Sequence, residues 1–200
     1  MKRFNYVFVL LLISLAGCAT ASTSVTSYKD PDYEQKEFKK VLITVNTKDL
    51  EEKFAIETRL VKDLALAGVS AVEGNKLFPP TRSFTDEEKT ASMLENEIDA
   101  FIVITPEEFG VKENYVPVSE SKKYVDGEFV KTYEGGYKED KPWAEYETAL
   151  FDVSNGKKVW MATSSTQGNA DAHKSDIINS FCYKMIHKLL SDKLLIKTVK

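Results

Sequence analysis

Cysteine and histidine are scarce in this 200-residue chain, which has two of each. His173 and His187 lie 14 residues apart near the C terminus, so they cannot share one metal ion. No Cys/His cluster has the spacing of a zinc site. A thiol nucleophile at Cys182 would need a histidine partner, and His187, five residues on, points elsewhere on the predicted helix. We therefore predict that the chain has no metal site.

The common catalytic and nucleotide-binding motifs are also missing. The sequence has no G-x-S-x-G, no P-loop and no G-x-G-x-x-G. Its acidic pairs, such as Glu51-Glu52 and Glu87-Glu88, are adjacent in sequence and are typical of solvated faces or first helical turns. We predict no catalytic residues and no cofactor other than a covalent lipid. A hydrolase whose acids meet only in the folded chain is the alternative.

The N terminus has the layout of a secretory signal peptide over residues 1–17. Lys2 and Arg3 precede an apolar stretch that, with about 11 residues at 6–16, is shorter than the roughly 20 of a membrane-spanning helix. The leader ends in LAGC, which resembles the lipobox of bacterial lipoproteins. That resemblance implies cleavage before Cys18 and acylation of its thiol. A plain leader followed by a structural cysteine is the alternative.

A lipid on Cys18 would hold the protein at a membrane. One acyl chain anchors only weakly, at roughly 0.8 kcal/mol per buried methylene, whereas two or three chains are sufficient. Ala19 follows the cysteine where an aspartate would imply inner-membrane retention, so the resemblance implies the outer membrane, facing the periplasm. Residues 19–37 are small, polar and charged without periodicity, and we predict that 18–37 are the lipidated cysteine and a flexible tether.

The charge balance narrows the class of partner. Without the leader the chain has 25 Lys and Arg against 31 Asp and Glu, a net charge of −6. A mildly acidic domain has no electrostatic footprint for nucleic acid and no polybasic patch for lipid. The predicted partners are therefore a membrane, through the anchor alone, and a protein or cell-wall component. The oligomeric state is not indicated.

The first half of the domain alternates strands and helices. Apolar runs at 40–45, 69–72 and 99–104 predict strands, and the helical patterns between them begin at Asp49, a candidate N-cap, and at the capping box of Thr85 and Glu88. This β-α-β-α-β order predicts an α/β layer structure.

The second half is predicted to contain two β-hairpins, turned at Asp126-Gly127 and Asn155-Gly156, and a C-terminal amphipathic helix over 171–190. Cys182 lies on the apolar stripe of that helix, where a buried and inert thiol is expected. The whole prediction is a single α/β (α+β) domain at 38–200, with a mixed sheet, about three helices and a hairpin-rich insertion at about 107–142.

Aromatic residues are unusually frequent in and beside this insertion: Tyr115, Tyr124, Phe129, Tyr133, Tyr137 and Trp143. Exposed Tyr and Trp suit a partner-binding or glycan-binding surface. Aromatic side chains also form ordinary cross-strand pairs, which would stabilise the first hairpin against the sheet. We favour cross-strand packing and keep the partner-binding surface as a hypothesis.

Two segments resemble known families. VLITVN, RLVKDLALAGVSAVEG and LENEIDAFIVIT are similar to the amino-terminal α/β module of TolB-like and curli-secretion-like periplasmic proteins. YETALFDVSNGKKVWMATSST, with Leu150, Asp152, Gly156, Lys157, Val159 and Trp160, resembles a strand motif of small bacterial lipoproteins of unknown function. The resemblance implies a mixed sheet with helices on one side, an envelope location and no known catalysis. We expect Trp160 to pack in the core beside Leu150.

These observations favour a lipid-anchored envelope protein whose periplasm-facing domain binds or scaffolds a protein or cell-wall partner. A self-assembling structural lipoprotein is a further alternative beside the hydrolase.

Overall fold

The computed structural model describes residues 20–125 and 128–197. The predicted signal peptide, Cys18 and the Asp126-Gly127 turn lie outside the described residues. The strands are β1 (Ala21–Lys29), β2 (Lys40–Val45), β3 (Ser70–Glu73), β4 (Ala100–Val116), β5 (Ser119–Val125), β6 (Glu128–Glu134), β7 (Tyr137–Asp152) and β8 (Lys158–Gly168). The helices are α1 (Leu50–Leu66), α2 (Gly74–Leu77), α3 (Asp86–Glu95) and α4 (Lys174–Ser191), with a 3-10 turn at Pro31–Tyr33.

Six strands form one mixed sheet in the order β1-β8-β7-β4-β2-β3. β2 is parallel to β3 and to β4, and the other neighbours are antiparallel. β5 and β6 pair only with each other, as a separate two-stranded sheet. The predicted α/β class with a mixed sheet and two hairpins is confirmed.

Local capping explains where the helices begin. The Asp49 carboxylate accepts the Glu52 backbone N–H at 3.1 Å at the start of α1. Thr85 and Glu88 form the predicted capping box of α3, with bonds of 3.2 and 2.8 Å. Both caps satisfy backbone donors that have no partner inside the helix. The Thr85–Glu88 spacing and Asp49 are therefore correct predictions of helix starts.

The main core lies between one face of the sheet and the helices α1 and α4. Leu150 and Trp160 are direct partners across β7 and β8, and both are buried, as expected from the sequence. The Trp160 indole N–H donates to the Asp192 carboxylate at 2.8 Å, just beyond α4. Cys182 is completely buried on α4, and this burial raises the pKa of its thiol.

A smaller core occupies the opposite face of the sheet. Met93 of α3 packs there with Leu42, Ile98 and Val153, and Phe101 joins them partly buried. The expectation of helices on one side is therefore wrong. Because β2 and β4 have apolar side chains on both faces, the sheet buries apolar surface against α3 as well as against α1 and α4.

The predicted tether at 18–37 is also wrong over most of its length. Residues 21–29 form β1, an edge strand paired antiparallel with β8 from Ala21↔Gly168 to Lys29↔Trp160. Thr23 is buried, and its hydroxyl bonds the hydroxyls of Thr166 at 2.9 Å and Ser180 at 2.8 Å. The strand is held by backbone pairing and hydroxyl bonds rather than by large apolar side chains, so its composition resembles that of a linker.

Candidate partner-binding surface

The predicted insertion is an extension of two central strands. Past the pair Gly110↔Trp143, β4 and β7 continue as a two-stranded ribbon to Val116↔Tyr137. Within the described residues β8 gives no support there, because its last pairing with β7 is Gln167↔Trp143. At about 3.4 Å per residue, the six pairs beyond Gly110 extend about 20 Å past the rest of the sheet.

The β5–β6 hairpin continues from the end of this ribbon. Two connections join them, Pro117-Val118 on one strand and Gly135-Gly136 on the other. Gly135 has φ +103°, and a Cβ on it would clash with the Pro117 carbonyl oxygen. Glycine is therefore required at this joint. The predicted hairpin around residues 124–130 is confirmed by the pair Tyr124↔Phe129, although its turn residues lie outside the described part.

Three of the six predicted aromatic residues share one face of the hairpin. Register places Tyr124 opposite Phe129 and places Tyr133 opposite Glu120 on the same face. The Tyr124 and Phe129 rings meet edge to face with centroids 4.9 Å apart, so the cross-strand interpretation holds for this pair. The two side chains are nevertheless 65% and 74% exposed. Because every described side chain of the hairpin is exposed, this pair does not pack the hairpin against the main sheet.

Tyr115 lies elsewhere, on the face of the ribbon that continues the side of the sheet covered by α1 and α4. Phe109 and Val111 precede it on that face, and Phe109 is paired with the buried Ala144. We call Phe109, Val111 and Tyr115 the ribbon stripe. All three are more than half exposed. Sequence reasoning missed Phe109 and Val111, although residues 109, 111, 113 and 115 share one strand face and only Glu113 interrupts their apolar character.

Trp143 and Tyr137 point to the other face of the ribbon. The Trp143 ring lies directly on Gly110, where a Cβ would come within 2.8 Å of the indole nitrogen. The Lys112 ammonium lies 4.7 Å from the centroid of the same ring. Trp143 is half-buried and braces the base of the ribbon. The structure therefore brings together three of the six aromatic residues and separates the others.

The alternative of an enzyme depends on a cavity with suitable groups. A cavity of about 720 Å³ opens between α3 and the β7–β8 turn. Its apolar lining consists of Leu42, Phe78, Met93, Phe101, Val103 and Val153. The lining includes a single carboxylate, that of Asp86, which is paired with Lys89 at 3.0 Å, and it includes no histidine. Two facing carboxylates, the arrangement expected of a glycosidase, are not present in this cavity.

The buried carboxylates each have structural partners. Glu57 accepts three hydrogen bonds and forms an ion pair with Lys53, and the Glu52 carboxylate accepts the Tyr146 hydroxyl at 3.1 Å. Burial would raise the pKa of Asp152, but the Lys36 ammonium and the Ser154 hydroxyl outweigh it and hold that pKa below its usual value. These groups join secondary-structure elements, and their hydrogen-bonding capacity is used in doing so.

A second cavity, of about 390 Å³, is lined by the carboxylates of Glu107, Glu145 and Glu147, and neither histidine lines it. His173 and His187 are both exposed, and His187 lies against the Tyr183 ring with centroids 4.4 Å apart. Among residues 20–125 and 128–197, no three His, Cys, Asp or Glu side chains are grouped as metal ligands would be. No helix in that part of the chain is long and apolar enough to cross a membrane.

Comparison with known proteins yields similarity in structure only. No protein-family model and no curated protein sequence matches the chain. A single-residue variant of PelC from Paraburkholderia phytofirmans, a dodecamer, has a TM-score of 0.52 and 18% identity, covering 84% of this chain and 97% of PelC. The lipoprotein GNA1162 from Neisseria meningitidis has a TM-score of 0.44 and 12% identity, covering 76% and 98%. The chain is thus similar in fold to PelC.

Proposed function

We propose that the protein is a lipid-anchored component of the cell envelope, attached through Cys18 to the outer membrane and facing the periplasm. Its domain binds a protein partner and catalyses no reaction. The ribbon stripe of Phe109, Val111 and Tyr115 is the binding surface. The single observation that carries this proposal is the two-stranded ribbon, which extends about 20 Å past the rest of the sheet. It exposes Phe109 and Val111 at its base and Tyr115 near its end.

The stripe has the chemistry of a protein interface. It continues the apolar face of the sheet past the N terminus of α4, where the Lys174 ammonium lies 5.8 Å from the Phe109 ring centroid. No described element of the chain covers the stripe, since all three side chains are more than half exposed. Exposed apolar and aromatic side chains beside charged groups, here Lys174 and the Glu113–Lys138 ion pair, are typical of interaction sites.

The proposal of a non-catalytic role is supported by the contacts of the buried acidic residues. The buried ones each bind donors of the chain itself, and the apolar cavity beside α3 has one carboxylate, already paired. We favour a protein over a cell-wall component as the partner, because Phe109, Val111 and Tyr115 supply exposed apolar and aromatic area. Glu113 lies between Val111 and Tyr115 on the same face and is paired with Lys138 at 2.6 Å.

Cross-linking and pull-down from intact cells test partner binding. We expect a specific partner with the natural chain, and loss of that partner when Phe109 and Tyr115 are both replaced by Ser. Tyr183→Ser is the matched control, since Tyr183 on α4 is 61% exposed, as is Tyr115. Recovery of no specific partner, or equal recovery with the double variant, contradicts the proposal.

The anchor has its own test. Palmitate labelling is expected to mark the natural chain and not Cys18→Ala, which should also leave the membrane fraction. If Cys18→Ala is still labelled and still fractionates with the membrane, the anchoring proposal is wrong.

A second candidate is assembly from several copies of this chain. The projecting ribbon could reach a neighbouring copy, and PelC, which is similar in fold, is a dodecamer. Light scattering of the unlipidated domain distinguishes the candidates. A monomer at high concentration counts against assembly.

A further inference from the structure

We propose that the β5–β6 hairpin rests on the bilayer that holds the Cys18 lipid. Its aromatic face enters the headgroup region, and its two facing lysines bind anionic lipid headgroups. The inference rests on the lipid anchor of the proposed function, and it adds a second point of membrane contact on residues with no assigned role.

The anchor and the ribbon leave the domain from the same end. Ala21, the first residue of β1, pairs with Gly168 of β8. One residue earlier in β8, Gln167 pairs with Trp143, and Trp143 pairs with Gly110, where the ribbon begins. The start of β1 is therefore level with the base of the ribbon.

The chain between the lipid and the domain is short. The Thr20 carbonyl already accepts the Asn169 backbone N–H at 2.8 Å, so the folded domain includes Thr20. Cys18 precedes it by two residues, which span at most about 7 Å. The ribbon extends about 20 Å from that same end. The membrane surface is thus closer to the domain than the ribbon is long, so the ribbon must either point at the surface or lie along it.

The hairpin has one face suited to that surface. Tyr124 and Phe129 lie at its far end, and tyrosine and phenylalanine rings are favoured at the boundary between headgroups and acyl chains. Behind them Lys122 and Lys131 are direct cross-strand partners. Lysine stems can lie along the apolar rings while their ammonium groups reach lipid phosphates.

The lysine pair is otherwise unexplained by the fold. Like charges directly opposite each other destabilise a pair of strands. Lys131 is paired with Glu120 at 2.8 Å, whereas Lys122 has no ion-pair partner among the described residues. The acidic Glu128 and Glu134 lie on the other face of the hairpin, opposite Val125 and Ser119. With Glu120 on the aromatic face and Lys123 on the other, the described residues give net charges of +1 (two Lys, one Glu) and −1 (one Lys, two Glu). The aromatic face is therefore the one that suits an anionic surface.

The test uses the full lipidated chain reconstituted into vesicles that contain anionic and brominated lipids. Trp143→Phe leaves the buried Trp160 as the one remaining tryptophan of the two in the chain. Because the Trp143 ring packs on Gly110 at the base of the ribbon, this variant without a reporter is first shown to keep the natural urea midpoint and vesicle flotation. In that background Phe129→Trp places a reporter on the hairpin. Leu66→Trp is the matched control, since Leu66 is 80% exposed at the end of α1 distant from the ribbon.

We expect brominated lipid to quench the reporter at position 129 and to leave the one at position 66 unchanged. Replacing Lys122 and Lys131 by Gln should lower the ratio of inserted to free hairpin about fivefold per lysine, the equivalent of about 1 kcal/mol per charge, on anionic vesicles only. The inference is overturned if the protein floats with the vesicles but the position 129 reporter is not quenched.

Two other results also overturn it, and they are distinguishable. A blue shift at position 129 that needs high protein concentration and no vesicles would mean that a second copy covers the hairpin. If the protein neither floats with vesicles nor takes up palmitate, the lipid anchor is absent. That result would contradict the proposed membrane attachment through Cys18 as well as the contact of the hairpin with the bilayer.

Discussion

Glu57→Gln should strongly destabilise the domain, because Glu57 is a fully buried acceptor surrounded by donors. One carboxylate oxygen accepts the Val45 N–H at 3.0 Å and the Lys53 ammonium at 2.8 Å. The other accepts the Asn75 backbone N–H and side-chain amide, both at 2.8 Å. Glutamine replaces one of these oxygens with a donor, so in either orientation its NH₂ group faces two other donors.

The expected cost follows from that geometry. Hydrogen bonds to a charged group contribute about 1.5–3 kcal/mol each, and breaking one side of a buried ion pair costs about 3–5 kcal/mol. We expect Glu57→Gln to lower the free energy of unfolding by about 3–5 kcal/mol, a large part of the 5–15 kcal/mol typical of a domain. Equilibrium urea unfolding of residues 19–200 should show a midpoint lower by on the order of 1–2 M.

Glu51→Gln is the matched control on the same helix. Glu51 is exposed, so its replacement should change the free energy of unfolding by less than about 0.5 kcal/mol. If Glu57→Gln is as mild as this control, the four donors do not depend on the carboxylate charge, and the assignment of Glu57 as the joint between α1, β2 and α2 is wrong.

Three further perturbations have defined outcomes. The pKa of Asp152 is held below its ordinary value of 3.8, so the stability that its charge provides is fully present above that pH and is lost as the pH falls through the lower native pKa. Asp152→Asn should therefore reduce the loss of thermal stability on acidification. An unchanged loss would contradict the pairing with Lys36. Burial raises the pKa of Cys182, so iodoacetamide should modify it only at the rate of unfolding, and rapid alkylation of native protein would be inconsistent with its position. Gly135→Ala should abolish quenching of the position 129 reporter, because a Cβ clashes at the joint between ribbon and hairpin. It should leave the urea midpoint unchanged, because the hairpin lies outside the core. A lowered midpoint would contradict the view that the hairpin contributes nothing to the stability of the domain.

Strands and helices with large apolar side chains were predictable from the sequence. Val41, Ile43 and Val45 of β2 are buried in the main core, and the predicted bounds of this strand, 40–45, are those observed. The caps at Asp49 and Thr85 depend on residues three positions apart, a purely local signal. Leu150 and Trp160 were predicted as core partners because both flank one tight turn.

β1 was not predictable by the same reasoning. Its inward-facing positions are Thr23, Val25 and Ser27, which have small side chains, and two of these are polar. The hydroxyl of Ser27 donates to Asp192 at 2.6 Å, a partner 165 positions away in sequence. A strand held by distant hydroxyl bonds and by backbone pairing with β8 has no hydrophobic periodicity. Its order is specified by tertiary partners, which local pattern does not reveal.

Strand register determines which aromatic residues share a face. The sequence predicts the register of the hairpin but not that of the ribbon. A two-residue turn at 126–127 places 125 opposite 128, and hence Tyr124 opposite Phe129 and Lys122 opposite Lys131, so the composition of the hairpin face could have been derived. Tyr115 and Tyr137 lie beyond the joint at Gly135-Gly136, where pairing is interrupted. A shift of one residue in the pairing moves every side chain to the other face of the strands. Counting residues back from the 126–127 turn therefore could not predict the faces on which Tyr115 and Tyr137 lie. The joint therefore separates the hairpin face of Tyr124, Phe129 and Tyr133 from the ribbon, where Tyr115 belongs to the ribbon stripe and Tyr137 and Trp143 lie on the opposite face. The hairpin face and the ribbon stripe can thus serve different partners.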